Sequence, residues 1–293
     1  MPVTRHSYDA AVTGVAELKE KQTDLSTIGE CFESIFKAQK EFYESFTPDY
    51  TTLDVSTCRK RHKKGKPFLT TGVVRIPWDR FDELADRICA IADTYARDKG
   101  ADVRRSWQVF EKAGDNRHRT LLKGFLEHHG NLQDCAERST IEADLLTFIA
   151  SQTLPPFLEK YAEKLREYID SNVWLKGTCP VCGGEPLMGR LAKETGKKYL
   201  QCYLCRANWE FGRLECTFCG NTDQDKLRYF YDEEDPFHRV EVCDTCKGYI
   251  KIVDTRNMID DGVLVVENLA TLHLDLAAKR EGFRRDTNKL FGT

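Results

Sequence analysis

The chain has 293 residues, of which 41% are hydrophobic and 31% charged, a composition typical of a globular protein with two or more domains. Its net charge of −3 gives no electrostatic reason to expect a general affinity for nucleic acid. The N-terminal residues lack the apolar stretch of a secretory signal, and no window approaches the roughly 18 apolar residues that cross a bilayer. We therefore expect a cytoplasmic protein without stable membrane insertion.

Residues 1–172 are predicted to form a helical domain. A capping box at Thr27–Glu30 is followed by apolar residues at three- and four-residue steps, which build one face of an amphipathic helix. A second such stripe is predicted to end at Gly100, and another capping box is predicted at Ser139–Glu142.

A basic run, Arg59–Lys66, interrupts the helical pattern. It is expected to be a solvated loop between helices. A docking patch for an acidic partner and a nucleic-acid arm are the alternatives, because a single short run of charge is weak evidence for either.

The helical region contains no spacing of histidines or cysteines that is typical of a catalytic or metal site. Three of its histidines, His118, His128 and His129, are expected to be surface or capping residues. Its single cysteines are expected to be small core or surface residues, and they are Cys31, Cys58, Cys89 and Cys135.

Eight of the twelve cysteines fall between positions 179 and 246 in four C-x2-C pairs. In a reducing compartment such pairs indicate metal or redox chemistry, because disulfides do not persist there. Each pair can fold as a tight knuckle, and two knuckles can supply four thiolates to one ion. The spacing predicts one metal site formed by Cys179, Cys182, Cys202 and Cys205 and a second formed by Cys216, Cys219, Cys243 and Cys246.

The segments around these pairs repeat the same order of parts. In each array a predicted hairpin links two knuckles, and a further strand follows the second knuckle, so the sequence indicates an internal duplication of one small metal module. The hairpin of the second module has an acidic turn at Asp232–Asp235. The six predicted strands are Leu187–Ala192, Lys198–Gln201, Ala207–Phe211, Leu227–Tyr231, His238–Val242 and Gly248–Val253.

Four-cysteine sites are usually closed and structural, and they hold together folds too small to have a large core. Such a site offers no open coordination position, so we do not expect an enzyme. Tetrahedral sulfur ligation suits iron or zinc. The form C-P-x-C-G at Cys179–Gly183 resembles a rubredoxin knuckle, but zinc ribbons share these features, so the spacing leaves the metal open.

The predicted fold class is α+β and multidomain, with an all-α N-terminal domain followed by two tandem rubredoxin-like, or zinc-ribbon-like, four-cysteine modules. The predicted boundaries are 1–172 for the helical domain, 173–212 and 213–262 for the two modules, and 263–293 for a C-terminal strand, helix and tail. The tail, from Lys279 onward, is expected to be polar and mobile.

The four pairs CPVC, CYLC, CTFC and CDTC, with the flanking stretches LQCYLCRANWEFGRLECTFCGN and VEVCDTCKGYIKIVDT, resemble the formate dehydrogenase accessory protein family, FdhE. The resemblance is strongest over residues 172–275. It implies two rubredoxin-like modules that bind iron through the eight cysteines. It also implies a cytoplasmic, chaperone-like assembly factor that binds the catalytic subunit of respiratory formate dehydrogenase before export.

Two other functions remain open at this stage. An iron-based redox or oxygen-responsive protein is one, because of the rubredoxin-like knuckle. A zinc-ribbon nucleic-acid binder is less favoured, because residues 176–256 contain 13 Lys and Arg against 13 Asp and Glu and thus carry no basic excess.

Overall fold

The structure is a computed structural model, and it describes residues 7–95, 100–127, 132, 143–259 and 262–285. The described residues form a helical N-terminal region followed by a region built around one mixed β-sheet. The predicted α+β fold class is therefore confirmed. None of the described helices is long and apolar enough to cross a membrane.

The N-terminal region packs amphipathic helices around a shared apolar interior. The described helices of this region are α1 Tyr8–Lys21, α2 Ser26–Ser45, α3 Val55–Lys63, α4 Trp78–Tyr95, α5 Gly100–Glu111, α6 Arg117–Glu127, α7 Ala143–Thr153 and α8 Pro155–Leu165. Helix α2 contacts α1, α4 and α8, and α4 also contacts α5 and α7.

The second region contains six strands, each within a few residues of its predicted position. They form one sheet in the order β3-β2-β1-β6-β5-β4, in which β1 and β6 pair in parallel and all other neighbours are antiparallel. The strands are β1 Pro186–Leu191, β2 Lys198–Cys202, β3 Asn208–Phe211, β4 Leu227–Asp232, β5 Asp235–Cys243 and β6 Tyr249–Asp254.

The strand order repeats within the sheet, as the internal duplication predicts. Strands β1, β2 and β3 follow one another as an antiparallel meander, and so do β4, β5 and β6. The two meanders join through the first strand of one and the last strand of the other. The outer strands β3 and β4 are consequently the two edges of the sheet.

Two helix boundaries differ from the prediction. The capping box at Thr27–Glu30 is wrong, because a 3₁₀ turn at Thr23–Leu25 runs directly into α2, and Thr27 lies inside that helix. Gly100 does not end a helix but begins α5, where a side chain would collide with the backbone of Asp93. The capping box predicted at Ser139–Glu142 lies outside the described residues.

The basic run is helical for most of its length, so the prediction of a loop is wrong. Arg59 to Lys63 occupy the last turns of α3, where cationic side chains interact favourably with the carbonyl end of the helix. One residue of the run, His62, is buried and stacks on the Trp174 ring at a centroid distance of 5.3 Å.

His118 is also buried, contrary to its expected surface or capping position. Its ring lies parallel to that of Trp78 at a centroid distance of 4.7 Å, and its Nε2 is 2.6 Å from Asp82 Oδ1. It is thus a packed and paired core residue. His128 and His129 lie outside the described residues.

The C-terminal segment contains two short helices, α9 Leu264–Ala270 and α10 Leu272–Arg280, where a strand followed by a helix was predicted. The strand prediction is wrong because Leu264, Val265 and Val266 are buried on a helix that packs against α1 and β1. The predicted mobile tail also begins too early, since Phe283 and Arg285 are buried. Residues 286–293 are not among those described.

A buried ion pair fixes α10 to the sheet. Lys251 Nζ on β6 donates to Asp275 Oδ2 at 2.6 Å and to the carbonyl oxygens of Asn268 and Thr271 at 2.8 and 3.2 Å. The Tyr249 hydroxyl donates to the other oxygen of Asp275 at 2.8 Å. Burial lowers the pKa of Lys251 to about 8, because the removal of the ammonium from water disfavours its charged form by more than Asp275 favours it.

We expect Asp275→Asn to lower the free energy of unfolding by about 3 kcal/mol, because it leaves the Lys251 ammonium buried without its counter-charge. Lys251→Met in the same chain should recover part of that loss. Glu17→Gln, which removes the exposed Lys21–Glu17 pair, is the control and should cost under about 1 kcal/mol. Urea unfolding of the four proteins measures these differences. Equal costs for Asp275→Asn and Glu17→Gln would contradict the prediction.

Candidate metal centres

The first cysteine cluster brings together the four thiols predicted from the spacing. Cys179 Sγ lies 3.5 Å from Cys205 Sγ, and Cys182 Sγ lies 3.4 Å from Cys202 Sγ, so each close pair joins one knuckle to the other. All four side chains are buried.

The second cluster repeats this arrangement. Cys216 Sγ lies 3.6 Å from Cys246 Sγ, and Cys219 Sγ lies 3.8 Å from Cys243 Sγ. Here Cys219 is exposed and Cys246 is half-buried, whereas Cys216 and Cys243 are buried. The two clusters therefore share their ligand geometry but differ in their access to solvent.

Both clusters fit a tetrahedral ion. Sulfurs placed at 2.3 Å from a central zinc ion lie about 3.8 Å apart, close to the observed separations. Within each cluster all four sulfurs lie within 4.8 Å of one another, and the described cysteines are free thiols without disulfides. Each cluster can hold one metal ion, and the donor set suits iron and zinc equally.

The local sequence folds into knuckles because each pair closes a tight turn with backbone hydrogen bonds. In the first knuckle the Cys179 amide donates to the Gly184 carbonyl at 2.8 Å, and the Gly183 amide donates back to the Cys179 carbonyl at 2.9 Å. The amides of Val181 and Gly184 then point at the sulfurs of Cys179 and Cys182, both at 3.4 Å. Amide donors of this kind favour the negatively charged thiolate form.

All four knuckles place the residue after the second cysteine in the left-handed region. Two of these residues are glycines, Gly183 with φ of 82° and Gly220 with φ of 69°. The other two are Arg206 with φ of 54° and Lys247 with φ of 59°, where a side chain makes this conformation costly. The knuckle itself therefore requires a left-handed residue after its second cysteine, and only two of the four knuckles have a glycine at that position.

The first cluster lies against the helical region, a contact that the sequence did not predict. The amides of Phe68 and Leu69, between α3 and α4, donate to the carbonyls of Pro180 and Val181 at 3.0 and 2.8 Å. These bonds add a two-residue backbone ladder to the first knuckle. A buried ion pair also links the first module to the helical region, since Arg206 Nε lies 3.8 Å from Glu159 Oε1 on α8.

The single cysteines of the helical region that the structure describes have no features of a reactive site. Burial raises the pKa of Cys31 to about 11 and that of Cys89 to about 12, and it also raises the pKa of Cys58. Few thiolates are present at such sites near neutral pH, which agrees with their expected role as packing residues. Cys135 lies outside the described residues.

Comparison with known proteins adds a second line of observation. The description "FdhE, central domain" matches residues 178–213, and "FdhE, C-terminal domain" matches residues 214–291. The chain is 26% identical to a "Protein FdhE homolog" of Aquifex aeolicus over 96% of its own length and 94% of the relative's. A homolog of the same name from Shewanella oneidensis is 34% identical over 37% of this chain and 36% of its own.

A solved structure shows the same fold over almost the whole chain. The crystal structure of the FdhE protein from Pseudomonas aeruginosa superposes with a TM-score of 0.66, covering 97% of this chain and 95% of that one at 20% identity. The chain is therefore similar to FdhE proteins in sequence, and it shares the fold of one of them. Its two four-cysteine clusters lie within the segments that the two domain descriptions match.

A substitution at Gly183 tests the contact between the first knuckle and the helical region. A Cβ at this position would lie 3.0 Å from Pro67 Cγ, whereas a Cβ at Gly220 would have Glu215 Oε1 as its nearest neighbour, at 3.6 Å. Both substitutions to alanine incur the left-handed penalty of about 1 kcal/mol. We expect Gly183→Ala to reduce the unfolding free energy by about 2 kcal/mol and Gly220→Ala by about 1 kcal/mol. Denaturant unfolding of the metal-loaded chain measures both, and equal losses would contradict the prediction.

Proposed function

We propose that the chain is an FdhE-family accessory protein of formate dehydrogenase that holds two metal ions in its cysteine clusters and binds the catalytic subunit during maturation. The observation that carries the proposal is the pairing of two complete four-sulfur clusters with the FdhE fold. Ligands are Cys179, Cys182, Cys202 and Cys205 for one ion and Cys216, Cys219, Cys243 and Cys246 for the other. Iron is the proposed metal, with zinc as the alternative.

The proposed role is assembly and not catalysis. Four thiolates complete the tetrahedral shell of an ion, which leaves no position for a substrate atom. Among the described residues, groups of three or more His, Cys, Asp and Glu ligand atoms come together only in these two clusters. The structural ions then stabilise the modules, and the surface of the protein performs the function.

An edge of the sheet offers a surface for the client subunit. Strand β4 has one neighbour, β5, and its outer side carries no described strand. Tyr229 and Tyr231 project from it, 60% and 52% exposed, with their rings stacked at 6.3 Å. The turn that follows exposes Glu233 and Glu234. An unpaired edge of this kind can accept an extended segment, and the acidic turn favours one with a basic residue at its end.

Co-purification tests the client. Tagged FdhE protein, prepared without oxygen, should retain the catalytic subunit of formate dehydrogenase from the same cells, and a deletion strain should lose formate dehydrogenase activity. No association together with normal activity in the deletion strain would defeat the proposal.

Surface variants then test the docking edge separately. We expect Tyr229→Ser with Tyr231→Ser to weaken subunit binding about tenfold, because both exposed rings are lost. Leu276→Ser, which removes an exposed apolar side chain on α10, is the matched control and should bind normally. Normal binding by the double variant would reject the β4 edge and leave the accessory role intact.

Metal analysis tests the two ligand sets. Cys243→Ser should reduce the metal content from two ions per chain to one and should lower the stability of the second module, because ion binding contributes roughly 10 kcal/mol to small sites of this kind. Cys31→Ser, outside both clusters, should keep two ions. Elemental analysis of protein purified without oxygen measures the content and identifies the metal. Two ions in Cys243→Ser would contradict the ligand set.

A redox or oxygen-responsive role is the second candidate, and the exposure of Cys219 favours it, since an exposed iron–sulfur centre exchanges electrons more readily with a partner. Absorption spectra and a redox titration without oxygen distinguish the two functions. Colourless, zinc-filled protein that still supports formate dehydrogenase would exclude the redox role.

A further inference from the structure

We propose that the two centres differ in kinetic behaviour: the ion of the second cluster exchanges with ligands from solution at least ten times faster than the ion of the first. The ligand class is a small molecule that binds the ion through sulfur or nitrogen, such as a low-molecular-weight thiol or a nitrogen-donor chelator. This inference rests on the proposed binding of two ions. It assigns a rapidly exchanging site to the second cluster and a slowly exchanging one to the first.

Access of solvent to the sulfurs is the first reason. In the first cluster Cys179, Cys182 and Cys202 have no exposed surface, and Cys205 has 1%. In the second cluster the thiol of Cys219 is exposed. An incoming ligand can approach the second ion from the side of Cys219, while the first ion is reached only after the protein opens.

The covering elements explain this difference. The first knuckle is overlaid by the segment containing Phe68 and Leu69, which are buried and hydrogen-bonded to it. The second cluster borders a cavity of about 380 Å³, lined in part by Cys216, Cys243 and Tyr229 but not by Cys219. The second cluster is thus less completely covered than the first.

The sizes of the two hydrophobic cores give an independent reason. Residues of the first module belong to the large apolar core that also contains the helical region. The second module is divided between two cores: Ile250, Ile252 and Val253 of β6 belong to the large core, whereas Val240 and Val242 of β5 belong to a small one. Local opening costs less free energy where fewer apolar contacts must be broken, so β5, which carries Cys243, opens more readily than the strands of the first module.

The exchange itself is a ligand substitution without electron transfer. The incoming thiol loses its proton and binds the ion through sulfur, while the Cys219 thiolate leaves the ion and takes up a proton. Repetition at the other three sulfurs transfers the ion to the external ligand. The charge of the ion is unchanged throughout.

Chelator competition on the zinc-loaded, full-length protein tests the inference. The probe is 4-(2-pyridylazo)resorcinol in excess, whose absorbance reports released zinc. We expect two phases of one equivalent each, with rates that differ at least tenfold. Cys219→Ser should abolish the fast equivalent and keep the slow one. Cys182→Ser, the matched position in the first module, should remove the slow equivalent.

The outcomes separate the inference from the function on which it rests. Two equivalents released at one rate, or a fast phase that persists in Cys219→Ser, would overturn the proposed difference between the centres while leaving two-ion binding intact. A chain that binds no zinc would overturn both. Cys219→Ser leaves all four sulfurs of the first cluster and the large core around them in place. Its slow equivalent therefore decides the question even where Cys182→Ser does not fold.

Discussion

The register of two hairpins is the constraint on which the rest of this structure depends. In the first module Pro186, at the start of β1, pairs with Cys202, and in the second Leu227, at the start of β4, pairs with Cys243. Each register brings the first knuckle beside the second, so that four sulfurs converge. A shift of one residue would turn these side chains to the opposite face and separate the thiols. The convergence of the four sulfurs therefore depends on the backbone pairing of each hairpin.

The same module has two different environments because of how the copies are joined. The parallel pairing of β1 with β6 uses the first strand of one meander and the last strand of the other, so the copies do not present equivalent surfaces. One knuckle of the first copy is covered by the α3–α4 connection, while the second copy contacts α10 and ends in the free edge β4. The two copies contain the same set of four cysteines, and the surrounding packing gives the two clusters different exposure to solvent.

Sequence reasoning placed the strands and the cysteine sets well because both follow from short-range rules. A knuckle, a hairpin and a second knuckle specify one another over 27 residues in the first module, Cys179 to Cys205, and over 31 in the second, Cys216 to Cys246. The predictions were wrong where contacts between residues far apart in the sequence determine the structure. Val263–Val266 has β-branched residues typical of a strand, yet burial against α1 and β1 makes most of it helical. His118 has an ordinary sequence context, and only its stacking on Trp78 shows that it belongs to the core. The contact of Phe68 and Leu69 with the first knuckle spans more than 100 residues and has no local signal.

Two metal centres that differ in exposure would allow one region of the protein to stay rigid while another changes with metal occupancy. An ion held by the first cluster would tie the helical segment that is hydrogen-bonded to its knuckle to the sheet. An ion held by the second cluster would stabilise mainly the module that carries the β4 edge. Loss or exchange of that ion would therefore change the docking edge through β5, whose last residue is the proposed ligand Cys243, without unfolding the helical region. Client binding and metal occupancy would then be linked through a single strand.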